Sequence, residues 1–196
     1  MGIDEQKSAK RRGMIQAATA LFAKKGHHRT TVDEITKEAG VAKGTFYLYF
    51  RDKEELLKLV MQELLEKHKL AYEVLGATPC PKERLRQYIA WELKFIAENA
   101  DFARLNLNAL GAVDKSLIEW YSMIQREHME FLEGVIEEGC AKGYFKEMDS
   151  TRAARFLRGV VFMFQAGRIL KPQAQGDMEG DVDFIYSTFL GGVQAD

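Results

Sequence analysis

The stretch from Thr31 to Lys53, TVDEITKEAGVAKGTFYLYFRDK, constrains the fold more than any other part of the chain. Thr31 suits a helix N-cap, and Glu34 three residues later completes a capping box. Ile35 and Ala39 give the helix that follows one apolar side. Gly40 stands where that helix must stop and the chain must turn through a left-handed conformation. Val41 can plug the turn, and a second short helix begins around Lys43. Two short helices joined by a tight glycine-containing turn have the geometry that lays a recognition helix in the major groove of DNA.

On that second helix, Phe46 and Phe50 share a face and point to a small core, leaving Lys43, Gly44, Thr45, Tyr47 and Tyr49 on other faces. Four aromatics on so short a helix cannot all be buried in a small domain. Gly44 lets backbone approach a base pair or phosphate closely. Thr45 can donate to a phosphate or touch a thymine methyl, and Tyr47 and Tyr49 offer hydroxyls to phosphate oxygens. Lys43 and Lys53 supply charge, and Lys53 falls at a helix start whose free N–H groups and partial positive charge also suit a phosphate.

Charge follows the same division. Residues 1–53 carry eleven Lys/Arg against six Asp/Glu, while the remainder carries seventeen against twenty-three. A basic head on an acidic body is expected when only the head meets phosphates. Lys7, Lys10, Arg11 and Arg12 form a basic arm that either reaches the DNA backbone or minor groove or is simply a solvated terminus.

Beyond the head the chain reads as all helix, with about nine helices in total. No Asn-Gly or Asp-Gly hairpin turn and no sustained period-2 alternation occurs. A first helix is expected from about Ser8 to Lys25, ended by Gly26. Asp52 caps a long fourth helix whose Leu56, Leu57, Val60, Met61, Leu64 and Leu65 recur at helical spacing, until Thr78-Pro79-Cys80-Pro81 breaks it. Further helices are expected near Lys82–Glu98, Asp101–Leu110, Lys115–Lys142, Asp149 or Ser150 to Leu170, and Val182–Leu190. The domains are therefore a head, 1–53, and a body, 54–196, with the fourth helix as the mechanical link. The run GVVFMFQAG is apolar almost all round, as in a helix buried on two sides. Together with the last helix it offers more apolar surface than one small body covers. Phe156, Val160, Met163, Phe184, Ile185 and Phe189 are the candidate dimer interface.

The segment TTVDEITKEAGVAKGTFYLYFRDKEELL closely resembles the DNA-binding signature of the TetR family of transcriptional regulators, over roughly residues 9–60. The match includes Ala17, Phe22, Gly26, Thr30-Thr31, Ile35, Ala39-Gly40-Val41, Lys43-Gly44-Thr45, Tyr47-Leu48-Tyr49-Phe50 and Lys53-Glu54. The resemblance implies an all-helical homodimer with two DNA-binding heads, a ligand cavity in each body and a dimer interface built from the last two helices. Carried over position by position, Thr45, Tyr47, Tyr49 and Lys53 contact phosphates, and Lys43, Gly44 and Asp33 face base edges, with Thr31 beside them. Asp33 fits either cytosine readout or the acidic charge favoured at a helix N-terminus. Ala42 departs from the Ser or Thr that the family often has at the recognition helix's N-cap. Its side chain cannot cap, at a cost of roughly 0.5–2 kcal/mol.

The implied function is a ligand-responsive regulator of double-stranded DNA at a pseudo-palindromic operator, most simply a repressor released by a largely apolar small molecule with one or two polar handles. The alternative is a non-switching DNA-binding or architectural protein with a solid body. Candidate ligand contacts are Trp91, Phe95, Phe102, Asn106, Trp120, Tyr121, Gln125, His128, Phe164 and Arg168. Fatty acyl-CoA, planar cations and aromatic metabolites all remain open as the effector. Cys80 and Cys140 lie far apart, no His/Cys/carboxylate cluster has ligand spacing, and neither a metal nor a cofactor is expected. No nucleophile–base pair, phosphate loop or paired carboxylates suggests an enzyme. No signal peptide or run of about 20 apolar residues is present, so a cytoplasmic location is expected.

Overall fold

The computed structural model describes residues 3–101, 103–105, 115–171 and 176–193. The fold is all-α, and no β-strand occurs among the described residues. Helices α1 (Ile3–Lys25), α2 (Val32–Glu38) and α3 (Lys43–Phe46) form the head. The long α4 (Lys53–Gly76) leaves it for a body made of α5 (Pro81–Glu98), α6 (Lys115–Ala141), α7 (Ser150–Leu170) and α8 (Met178–Val193). The short helix expected near Asp101–Leu110 lies partly outside the described residues, where 100, 101 and 103–105 are helical.

Helix boundaries follow caps more closely than composition. The Asp52 carboxylate accepts from the Glu55 amide at 2.7 Å and starts α4. Pro81 opens α5, where a missing N–H costs nothing. Asp149, rather than Ser150, caps α7 by accepting from the Arg152 amide at 2.9 Å. Two helices begin earlier than the sequence suggests. α1 starts at Ile3 instead of near Ser8, because its polar first turns carry no apolar period to mark them. α8 starts at Met178 instead of Val182, where the Asp177 carboxylate accepts from the Glu179 and Gly180 amides.

In the head, α1 packs on α2 and α4, burying Met14, Ile15, Ala18 and Phe22 against Ile35, Phe46, Phe50, Leu56 and Leu57. Each such side chain contributes roughly 1.5–3 kcal/mol when fully buried. The same core continues along α4 through Val60, Met61 and Leu64 to Phe95, Ile96, Trp120 and Ile124 of the body. A second core joins α5, α6, α7 and α8 around Tyr88, Ile89, Leu93, Leu132, Ile136, Leu157, Val161, Ile185 and Phe189. Arg86 of α5 pairs with Asp183 at 2.9 Å and with Glu179, fastening α8 to the body. The N-terminal half of α4 therefore sits in the head's core and its C-terminal half in the body's.

Candidate functional site

The head displays one polar and aromatic face around α3. The capping box at α2 forms as the sequence requires. The Glu34 amide donates to Thr31 Oγ1 at 3.3 Å, and the Thr31 amide donates to Glu34 Oε2 at 2.9 Å. Hydrogen bonds from Lys25 and then from Thr31 hold the Glu34 carboxyl down at about 2, so this cap is anionic at any working pH. Gly40 takes φ +65° to end the helix, and the Val41 amide donates back to Thr36 at 2.9 Å. α3 spans one turn only, and two i→i+3 bonds carry the chain from Thr45 to Tyr49. Ala42 makes no side-chain cap.

Phe46 and Phe50 are buried with ring centres 5.3 Å apart, so the faces of this segment fall as the sequence predicts. Lys43 and Gly44 are exposed, Thr45 and Tyr49 are half-buried, and Tyr47 is 56% exposed. Leu48, 81% exposed, stands beside Tyr47 and is a surface residue that sequence reasoning passed over, although its phase opposite Phe46 and Phe50 marks it. Asp33 and Lys43, both exposed, pair at 2.9 Å, which raises the Lys43 pKa. The pairing makes Asp33 a neighbour that neutralises Lys43 in the absence of DNA.

Lys53 occupies a different position from the other candidates. Its ammonium donates to the carbonyls of His27 (2.9 Å), Thr30 (3.1 Å) and His28 (3.2 Å). All three of its protons are thus engaged in closing the loop between α1 and α2. The basic arm is part of α1. Lys7, Lys10 and Arg12 are exposed along it, while Arg11 sits 5.9 Å from the Phe50 ring centre and 4.0 Å from Glu63.

In the body the apolar core is interrupted by a buried polar cluster drawn from four helices. The Tyr72 hydroxyl (α4) donates to Glu92 Oε1 (α5) at 2.6 Å, and its oxygen lies 2.5 Å from His128 Nδ1 (α6). Gln165 (α7) donates from Nε2 to the other Glu92 oxygen at 2.8 Å and to the Glu92 carbonyl at 3.1 Å. Its own carbonyl accepts from Arg158 at 3.1 Å. Glu92 and His128 are each 1% exposed. Burial, then Arg158 and His68, push the His128 pKa well below its ordinary value, so the ring is neutral. Burial and the nearby Glu92 carboxylate push the Tyr72 phenol far up, so it stays protonated and able to donate. Burial opposes the charge of Arg158, but Tyr88 and Glu92 hold it protonated. A buried cation and carboxylate are costly in a purely structural core and concentrate at functional sites.

A cavity of about 10 Å³ touches this cluster and is lined by His68, Glu92, Phe95, Trp120, His128, Arg158 and Gln165, with Leu64, Ile96 and Ile124. That volume holds about one water. An outer groove of about 200 Å³ between α4 and α6, lined by Lys58, Met61, Leu65 and Met123 among others, shares Trp120 with the cavity wall.

Of the expected ligand contacts, Phe95, Trp120 and His128 thus line the cavity. Trp91 stacks on Phe95 at 4.8 Å beside it. Tyr121 and Gln125 are half-buried on α6. Phe164 packs on Phe184, and Arg168 pairs with Asp181, so neither faces the cavity. Phe102 and Asn106 lie outside the described residues. His68, Glu92, Arg158 and Gln165 were missed because isolated polar residues on apolar stripes carry no local signal. The sequence spacing suggested no metal-ligating group, yet His68, Glu92 and His128 bring ligand-type atoms within 4.8 Å of one another. Within that group the Glu92 carboxylate accepts from Tyr72 and Gln165.

Ile185 and Phe189, expected at the dimer interface, belong to the second core instead, 2% and 4% exposed. Phe156, Met163 and Phe184 remain 60–66% exposed, with Val160 half-buried between them. No described helix is long and apolar enough to cross a membrane.

Residues 14–60 match the family described as bacterial regulatory proteins, tetR family, and residues 78–164 match a tetracyclin repressor-like C-terminal domain. The chain is 31% identical to the fatty acid metabolism regulator protein of Bacillus subtilis (strain 168), over 77% of this chain and 78% of that protein. Its fold matches the fatty acid degradation regulator FadR from Bacillus halodurans with a TM-score of 0.80 at 26% identity, covering 95% of this chain and 97% of that one. It matches FadR from Bacillus subtilis, solved in complex with stearoyl-CoA, with a TM-score of 0.79 at 25% identity, covering 93% and 99%.

Proposed function

The chain belongs to the TetR family of transcriptional regulators, and from that premise we propose that it is a repressor released from its operator by a long-chain acyl-CoA. It is a DNA-binding regulator and not an enzyme. The observation that carries the switch is the path of hydrogen bonds from α7 to α4. Arg158 holds Gln165, Gln165 holds Glu92, and Glu92 holds Tyr72 on the helix whose other half is packed into the head. A molecule that enters the cavity displaces members of this path and so shifts α4. The effector moves the equilibrium by as much as it prefers one arrangement over the other.

Two copies supply two heads. α7 carries Phe156, Val160 and Met163 at spacings of four and three, and the Gly159 and Gly167 positions have nothing within 4 Å of where a Cβ would stand. A second copy can therefore approach this face closely, with Phe184 of α8 at its side. In the operator-bound state, Lys43, Gly44, Thr45, Tyr47 and Tyr49 of each head meet adjacent major grooves about one helical turn apart. The Bacillus subtilis relative solved with stearoyl-CoA supports an acyl-CoA as effector.

The small cavity favours a second reading, a DNA-binding protein whose body is solid and does not switch. Fluorescence anisotropy on DNA from the chain's own upstream region separates the two. The switch requires saturable binding that survives random competitor DNA and is released by palmitoyl-CoA. Equal operator affinity with and without acyl-CoAs of several lengths supports the solid body. Binding lost to random competitor removes both.

A further inference from the structure

Two residues of the cavity wall carry buried donors that find no acceptor among the described residues. Trp120 Nε1 and Arg158 Nε have no hydrogen-bond partner among the described residues. Both residues line the same cavity and are 4% and 5% exposed. The acceptors around them are engaged: Glu92 Oε1 by Tyr72, Glu92 Oε2 by Gln165, and Gln165 Oε1 by the other end of Arg158. A buried N–H left unmatched carries a desolvation cost, and each such group in a native core calls for a partner. Indole and guanidinium donate only, so the missing partner is an acceptor.

Building on the acyl-CoA reading, we propose that Trp120 and Arg158 read the thioester carbonyl oxygen of the effector, and that Glu92 makes the site selective for a neutral carbonyl over a free carboxylate. The charges of Glu92 and Arg158 balance within the cluster. A carbonyl adds a dipole to that balance, whereas a carboxylate adds an uncompensated negative charge beside Glu92 in a buried site. Trp120 is the common wall of the cavity and the outer groove. A ligand that lay in the groove and reached into the core would pass this side chain, the place where a thioester joins a polar carrier to an apolar tail. Arg158 is also the first member of the path to α4, so an oxygen on its Nε acts on the residue whose Nη1 holds Gln165.

The test uses the full-length protein, calorimetry and two ligands that differ at one group. Palmitoyl-CoA has the carbonyl, and S-hexadecyl-CoA has a methylene in its place. Wild type is expected to bind the thioester at least about tenfold more tightly. Trp120→Phe keeps an aromatic ring in the wall and removes one donor. It is expected to cut the ratio of the two affinities, both measured in the variant, by about threefold or more. A wild-type ratio near one, or a ratio that Trp120→Phe leaves intact, overturns the carbonyl subsite while the acyl-CoA reading stands. If neither CoA derivative binds, the acyl-CoA reading itself fails and takes the subsite with it. For the charge selection, decanamide and decanoate are competed against palmitoyl-CoA. The amide should displace it at a concentration lower by about tenfold. Equal potency, or better displacement by decanoate, overturns the role of Glu92.

Discussion

Lys53 Nζ lies 2.9 Å from the carbonyl oxygen of His27, a bond that joins the first residue of α4 to the turn after α1. With Thr30 and His28 accepting its other protons, this lysine holds the head together before any DNA arrives. Hydrogen bonds from a charged donor contribute about 1.5–3 kcal/mol. Lys53→Ala should therefore lower the urea midpoint of the protein and weaken operator binding together. Tyr47→Phe, which removes an exposed hydroxyl, should weaken operator binding and leave the midpoint in place. If Lys53→Ala unfolds at the wild-type midpoint yet loses DNA affinity, its ammonium serves a phosphate rather than the loop.

Asp33 holds Lys43 at 2.9 Å in an exposed, solvent-screened pair of the kind that adds little to stability. Its larger effect falls on DNA, where it places a negative charge beside the phosphates and occupies a lysine. Asp33→Asn should leave the melting temperature unchanged and tighten operator binding several-fold, with a steeper dependence on salt. Weaker binding confined to operators that keep a particular cytosine would instead mark Asp33 as a base reader.

The head was legible in the sequence because its determinants are local. The Thr31–Glu34 box, the left-handed Gly40, the missing cap at Ala42 and the burial of Phe46 and Phe50 each depend on neighbours a few residues away. The lysine clip was not legible, because its acceptors are backbone carbonyls more than twenty positions upstream. Nor was the body's cluster, whose Tyr72, Glu92, His128 and Arg158 come from four helices and meet only in the packed structure. The dimer face shows the limit within one helix. Phe184 and Ile185 are adjacent, and the roughly 100° between them on a helix decides which is surface and which is core. Composition cannot set that phase, since both residues are equally apolar.

His128 gives the protein a pH dependence with a definite sign. Folded, the ring is kept neutral by burial and by the charge of Arg158; unfolded, it takes a proton below its ordinary value of 6.5. The unfolded chain then binds more protons, so stability falls as pH drops below 6.5, by at most ~1.4 kcal/mol per unit. Above 6.5 both states are neutral and His128 contributes no slope. Glu34 acts lower, between 4.5 and about 2, where its depressed carboxyl loses its advantage. Urea midpoints measured from pH 7.5 to 5 should decline in wild type and decline less in His128→Gln. Equal slopes in the two proteins would assign the decline to other groups.

Phe184 and Met163 test the dimer without disturbing the fold. Both are exposed in one copy, and with Phe156 they form an apolar patch on α7 and α8 that a soluble monomer has little reason to keep. Met163→Glu and Phe184→Glu should therefore give a folded species of 22.3 kDa by sedimentation, in place of one with twice that mass. Because specific binding needs two heads held in register, each variant should also lose operator affinity at concentrations where wild type is saturated. Phe189→Ala is the contrast. It opens a hole in the monomer core beneath Phe156, whose ring it stacks on at 6.5 Å, and should destabilise the fold by about 3–5 kcal/mol while leaving Met163 and Phe184 exposed and uncharged. Should Phe189→Ala dissociate the dimer and Met163→Glu leave it whole, the two copies meet on a different face, and the apolar patch on α7 and α8 needs another occupant.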